Sequence, residues 1–172
     1  KSTLANKLAN EYKNAINLDI DKIGHNVLTI EEVKCALVHS FGNNILKDNT
    51  IDRKRLGHIV FTSRLEMKKL SDITWKYMQI QIDNFLIDNK DKIIILDWLL
   101  LPKTKYFKMC DIKILLDIPY EIRKNRAIKR DNISKDAFDL REKASMDFNT
   151  NSFDYVIKEV NEEILKRLVN LL

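Results

Sequence analysis

Three short apolar runs in this chain each end on an aspartate: Ala15-Ile16-Asn17-Leu18 before Asp19, Lys92-Ile93-Ile94-Ile95-Leu96 before Asp97, and Ile112-Lys113-Ile114-Leu115-Leu116 before Asp117. Runs of this length and composition, set between segments of helical periodicity, read as buried strands. Strands that alternate with helices imply a parallel sheet covered on both faces, with ligands at the carboxyl ends of the strands. The aspartates therefore fall on the rim where such a fold binds its ligands. The fold class expected from this pattern is α/β.

The segments between the strands complete the pattern. Ser2 to roughly Tyr12 reads as a helix with Leu4, Ala5, Leu8 and Ala9 on one face. Residues 30–89 read as helical throughout: Glu31 to Phe41, a turn through Gly42-Asn43-Asn44, Asp52 to Phe61, and a long helix from Ser63 or Glu66 towards Asp88. This block carries no strong strand signal. After the third strand, Pro119 to Arg130 restarts a helix and Asn132 to Met146 is a polar helical segment. Tyr155-Val156-Ile157 is a short last strand, and Asn161 to Leu172 closes with an amphipathic helix.

A chain of 172 residues, 45% hydrophobic and 32% charged, suits one globular domain with a substantial core. It has no apolar stretch approaching the roughly 18 residues of a membrane span and no signal peptide, so a cytoplasmic protein is expected. Cys35 and Cys110 lack C-x-x-C spacing, and His25, His39 and His58 have no partner at metal-ligand spacing. Buried or inert cysteines and surface histidines are the expectation. The net charge of +5 suits an anionic partner, either nucleic acid or a phosphorylated small molecule. The basic clusters at Arg53-Lys54-Arg55, Arg64 to Lys69 and Arg123 to Arg130 lack the interleaved aromatics of a single-strand-binding surface. They read as solvated helix faces.

The chain opens Lys1-Ser2-Thr3-Leu4-Ala5, the second half of a G-x-x-x-x-G-K-[ST] loop. In that loop backbone N–H groups cradle phosphates, the Lys reaches the β/γ oxygens, and the next hydroxyl binds Mg²⁺ at a helix N-terminus. Without glycines, the same residues also read as an ordinary helix start with Ser2 or Thr3 as N-cap. A helix of the first kind must be fed by a strand. The natural protein is therefore expected to carry on the order of ten to fifteen further residues upstream, a strand and a glycine loop.

Beyond these elements the chain resembles the dephospho-CoA kinase family over nearly its whole length. Lys1-Ser2-Thr3 would complete the family's G-K-S-T, and Asp19-Ile20-Asp21-Lys22-Ile23 matches its D-x-D with an apolar helix start. The most specific stretch is Phe41-Gly42-Asn43-Asn44-Ile45 followed by Asp52-Arg53-Lys54-Arg55-Leu56 through Val60-Phe61. Arg126, Arg130 and Asp131 fall in register with R-x-x-x-R-D, Arg141 with the lid arginine, and Phe153-Asp154-Tyr155-Val156-Ile157 with the terminal A-D-x-V-I. The chain departs from the family at Thr74-Trp75, where His-Pro is usual, and at Asp97-Trp98-Leu99-Leu100-Leu101, where D-x-P-L-L is usual. It departs again at Lys103, at His25, at Ser145 and in the short segment before Phe153.

The resemblance implies a three-layer P-loop kinase fold with a parallel sheet, a helical substrate-binding insertion and a helical lid. The nucleotide-binding core would comprise residues 1–29, 90–128 and 150–172, the acceptor-binding subdomain residues 30–89, and the lid residues 129–149. The implied reaction is transfer of the ATP γ-phosphoryl group to the ribose 3′-hydroxyl of dephospho-CoA, with ATP and Mg²⁺ required. Asp21 is then the acceptor-orienting base, with Lys1 and Arg130 also catalytic. Lys1, Ser2, Thr3, Arg126, Arg130 and Arg141 bind the nucleotide, Asp21, Arg53 and Asp97 face the acceptor, and Ser2 and Asp19 serve the metal. Arg126 and Arg130 lie four residues apart, on one helix face, able to close together over phosphates.

Each assignment has a plainer reading. Asp19 and Asp21 can be strand-end and helix-capping carboxylates, and the arginines a solvated face paired with Glu121 and Asp131. Asp52-Arg53 can be a cap with a surface ion pair, and Trp75 and Trp98 read as core residues. Two other functions share these features: a nucleoside or nucleotide kinase, and a non-catalytic basic protein on a degenerate scaffold. The expected partners are ATP and dephospho-CoA, without nucleic acid or membrane, in a monomer or weak homo-oligomer.

Overall fold

A computed structural model describes residues 2–131, 134–143 and 148–171, without the side chains of residues 130, 131, 137, 140, 141 and 143. Lys1, Ser145 and the side chains of Arg130, Asp131 and Arg141, all named above, thus lie outside the described residues. The rest divides into two compact units, Ser2 with Leu4–Trp98, and Thr3 with the chain from Leu99 onward.

The first unit opens with α1 (Ser2–Glu11), which buries Leu4, Ala5 and Leu8, and continues into β1 (Ala15–Asp19). Ser2 and Thr3 lie within the first helical turn. β1 runs parallel to β4 (Ile93–Asp97), pairing Ala15 with Ile93 and ending with Asp19 opposite Asp97. Between these strands the chain makes α2 (Ile20–Asn26), α3 (Glu31–Phe41), α4 (Arg53–Val60) and the long α5 (Arg64–Asp88). Val33 and Leu37 of α3, Ile45, and Leu56 and Val60 of α4 form one buried cluster. Gly42 ends α3 with φ 83°, a backbone state open to glycine without the steric cost other residues bear.

The helical reading of residues 30–89 needs one correction. A hairpin of β2 (Leu46–Lys47) and β3 (Thr50–Ile51) interrupts it. Asp48 and Asn49 both have positive φ, 47° and 59°, as the tight two-residue turn of a hairpin requires. Arg55 fixes the hairpin to α4 by donating from Nη1 to the Leu46 carbonyl at 2.7 Å.

The second unit is built on β5 (Ile114–Leu116), parallel to β6 (Tyr155–Ile157). The Lys113 N–H donates to Asp154 Oδ2 at 2.7 Å, and the Asp154 N–H returns to the Lys113 carbonyl at 2.9 Å. Asp154 therefore sets the register of this pair. A short helix missed in the sequence, α6 (Lys105–Met109), precedes β5 and fully buries Tyr106. After β5 come α7 (Tyr120–Asp131), α8 (Lys135–Lys143) and, beyond β6, α9 (Glu162–Val169). Asn161 caps α9 by accepting from the Ile164 N–H at 2.9 Å.

Candidate active site

The functional rim of the first unit is set by strand pairing. Because β1 and β4 are parallel and in register to their last residues, Asp19 and Asp97 leave adjacent strands at the same level, on the order of 5 Å apart along the ladder direction. Asp97 is buried, with 6% of its surface exposed. Asp19 caps α2, its Oδ1 accepting from the Lys22 N–H at 3.2 Å and its Oδ2 lying 3.6 Å from Lys22 Nζ. The capping reading of Asp19 is therefore correct as far as local structure goes. The cap of α2 is Asp19 and not Asp21.

Asp21 sits in the first turn of α2 and is exposed. Two buried residues on either side of it, Ile20 at 0% and Ile23 at 7% exposure, fix which way α2 faces. Further along, a Cβ at Gly24 would come into ordinary contact with Met78 of α5. The carboxylate of Asp21 is thus carried on a helix start whose position is fixed by a cap behind it and packing beneath it.

Next to Asp97, Trp98 stacks on Trp75 of α5, with ring centroids 5.7 Å apart and planes at 17°. Both rings are half-buried. The sequence marked Trp75 as part of a departure and read each indole as core, without pairing them. Twenty-two residues separate them, beyond the reach of any local periodicity. Their stack ties the exit of β4 to the long helix.

Arg53 is exposed at the first position of α4, where Asp52 caps the helix by accepting from Lys54 N at 2.8 Å and Arg55 N at 3.2 Å. These bonds, the one from Arg55 first, hold the Asp52 carboxyl below its ordinary pKa. The ion pair of this cap is to Arg55, at 3.6 Å, and leaves Arg53 facing solvent.

In the second unit Arg126 is exposed on α7, and the backbone of Arg130 follows one turn later on the same helix. Glu121, read as a partner for these arginines, instead pairs with Lys124 at 2.6 Å. The cysteine expectation needs a correction as well, since Cys35 is exposed and only Cys110 is partly covered. Burial pushes the Cys110 thiol pKa up, which keeps it protonated and inert.

Ser2 and Asp19 offer the hard oxygen donors that Mg²⁺ takes, and Asp97 lies beside Asp19. Among the described residues no cluster of three or more His, Cys, Asp or Glu could cage a metal. That donor set fits an ion held chiefly by substrate phosphates and water, with carboxylates around its water shell. No helix among the described residues is long and apolar enough to cross a membrane.

An acidic rim at the carboxyl ends of parallel strands lies where α/β folds bind their ligands. The solved structures agree on the fold: a Thermus thermophilus protein matches with TM-score 0.81 at 20% identity, over 99% of this chain and 88% of its own. A dephospho-CoA kinase from Campylobacter jejuni matches with TM-score 0.59 at 24% identity, over 98% and 88%. The fold is that of the α/β P-loop kinases.

The sequence comparisons are more specific. The sequence model of the dephospho-CoA kinase family matches residues 1–163. Curated dephospho-CoA kinases of Fusobacterium nucleatum and Aquifex aeolicus are each 35% identical, over 79% and 81% of this chain and 70% and 74% of their own lengths. That of Borreliella burgdorferi is 35% identical over 73% of this chain and 60% of its own. The chain belongs to the dephospho-CoA kinase family.

Proposed function

We propose that this protein transfers the γ-phosphoryl group of ATP to the ribose 3′-hydroxyl of dephospho-CoA, giving CoA and ADP in the last step of CoA synthesis. The observation that carries the residue-level reading is the register of β1 with β4, which sets Asp19 beside Asp97 and starts α2, with Asp21, directly from that edge. A phosphoryl transfer asks for in-line positioning and charge neutralisation more than for covalent chemistry. Asp21 orients the acceptor hydroxyl and takes its proton as the oxygen attacks phosphorus. Asp97, buried beside Asp19, holds the acceptor side of the rim, and Arg53 meets the acceptor's phosphates from the helical block of residues 30–89.

The nucleotide is bound by Lys1, Ser2 and Thr3 and by Arg126, Arg130 and Arg141, the last two within a lid of residues 129–149. Ser2 and the water shell around Asp19 would hold Mg²⁺, which neutralises charge on the β and γ oxygens when bound. A cytoplasmic location goes with this reading. The test is a phosphorylation assay on the complete protein with ATP, comparing dephospho-CoA with nucleosides and nucleotides as acceptors. Preferential formation of CoA is expected. Preference for a nucleoside, or no transfer to any acceptor, would overturn the assignment.

A further inference from the structure

Tyr120 and Arg123 form a two-point attachment between α7 and α8 that the functional reading does not use. The Tyr120 hydroxyl donates to Asp139 Oδ1, and Arg123 Nη1 donates to Glu142 Oε2 at 2.6 Å. The Arg123 fork has a second prong, because its Nε donates to the carbonyl of Ile118, just past β5, at 2.7 Å. One guanidinium therefore joins the strand exit, α7 and α8. The Tyr120 ring also packs against Phe138, centroids 5.6 Å apart, and Phe138 is 7% exposed. Phe138, Asp139 and Glu142 all lie on α8, so its attachment has an apolar centre and two polar arms.

The placement of these arms bears on the nucleotide. Asp139 and Glu142 flank the backbone position of Arg141, and Tyr120 and Arg123 precede Arg126 on α7. An ion pair in which one side chain is 39% and the other 25% exposed adds little stability. Its value is geometric: a planar fork with two fixed acceptors permits one arrangement where a lysine would permit many.

We propose that Arg123, through its paired bonds to Ile118 and Glu142, is a positioning residue that sets the backbone of α8, which carries Arg141, against α7 for binding ATP phosphates. Arg123 touches neither substrate. It acts through Arg141, and Glu142 is its obligate counterpart. This rests on the kinase reading for its consequence in turnover, but its effect on ATP affinity can be read without any acceptor.

The experiment measures ATP affinity by titration, and KM for ATP and for dephospho-CoA by steady-state assay, in the complete protein and in Arg123→Gln, Arg123→Lys and Glu142→Gln. Arg123→Gln and Glu142→Gln are each expected to weaken ATP affinity by roughly two- to thirtyfold, the range for residues that act at a distance from the ligand. The KM for dephospho-CoA is expected to stay unchanged. Arg123→Lys should recover only part of the loss, since an ammonium cannot reproduce the fork. If Arg123→Gln fails to fold, Glu142→Gln, which leaves the bond to Ile118 in place, gives the same reading. Unchanged ATP affinity in the folded variants overturns the proposal, and so does an equal loss for both substrates, which marks a merely structural role. Failure of the kinase reading would instead appear in the unaltered protein, as absent transfer to dephospho-CoA with the ATP titration still readable.

Discussion

The acidic rim at β1 and β4 and the helix pair α7–α8 hold their functional groups by opposite means. At the rim the backbone does it: a strand ladder fixes Asp19 and Asp97, and a capped, packed helix start fixes Asp21. In the helix pair side chains do it, through Tyr120–Asp139 and Arg123–Glu142. A carboxylate that must meet one hydroxyl at one distance profits from a rigid frame. Cations that gather around phosphates as these arrive profit from attachments that can re-form. Substitutions at the rim should therefore act on turnover, and those in the helix pair on nucleotide affinity.

The largest effect tests the rim directly. Asp21→Asn keeps the shape and the helix start but removes the proton acceptor, and kcat is expected to fall roughly 10²–10⁴-fold, the usual contribution of general base catalysis. ATP affinity should hardly change, because in the proposed mechanism the lost charge serves the acceptor and not the nucleotide. Steady-state kinetics beside an ATP titration separate the two. A kcat within a few-fold of the parent protein would remove Asp21 from the mechanism and dissolve the contrast between the two regions.

Two stability changes sharpen the comparison from the first unit's interior. Leu37, fully buried with Val33, Ile45, Leu56 and Val60, lies in a core remote in sequence from either set of charged groups. Leu37→Ala should cost about 2–5 kcal/mol in denaturant unfolding while the surviving folded enzyme keeps its kcat/KM. A smaller cost would mean the helical block can collapse around the deleted side chain. Trp98→Ala should cost less, about 1–3 kcal/mol, since its ring is only half-buried and the stack on Trp75 adds about 0.5–1.5 kcal/mol. Trp98 directly follows Asp97, so a raised KM for the acceptor should accompany that loss. Loss of stability with an unchanged acceptor KM would confine the indole pair to a packing role.

What the sequence made legible was what local rules govern. The strands before Asp19 and Asp97, the Ser63 start of α5 and the Asp52 start of α4 all follow from apolar runs and capping residues within a few positions of each other. The β2–β3 hairpin escaped because its strands are two residues each, too short for alternation to register, although Asp48-Asn49 is a pair that tolerates positive φ. The Trp75–Trp98 stack and the Arg123–Glu142 pair escaped for another reason: their partners are joined by tertiary folding, and no helical or strand spacing connects them. Asp154 was visible as part of a motif, but its bond to the Lys113 N–H depends on which strand lies beside β6. Glu121 shows the reverse error, since proximity in sequence suggested the arginines and the local i,i+3 contact with Lys124 took it instead.

The smallest effect is a pH dependence peculiar to the helix pair. The Tyr120 hydroxyl donates to Asp139, and that bond, then loss of water, then the negative charges of Asp139, Glu121 and Glu142, raise its pKa from 10.0 to about 12. The folded protein thus holds the phenolic proton more tightly than the unfolded chain. This contribution to stability is complete below about pH 10 and is lost as pH rises towards about 12, where the folded form also ionises. Lysines do titrate there, but equally in a Tyr120→Phe variant, so the difference in unfolding midpoint between parent and variant isolates the phenol. That difference should shrink steadily across the window. A difference that stays constant would mean that the hydroxyl does not hold Asp139 in solution, and the apolar contact with Phe138 and the arginine fork would then be what joins the two helices.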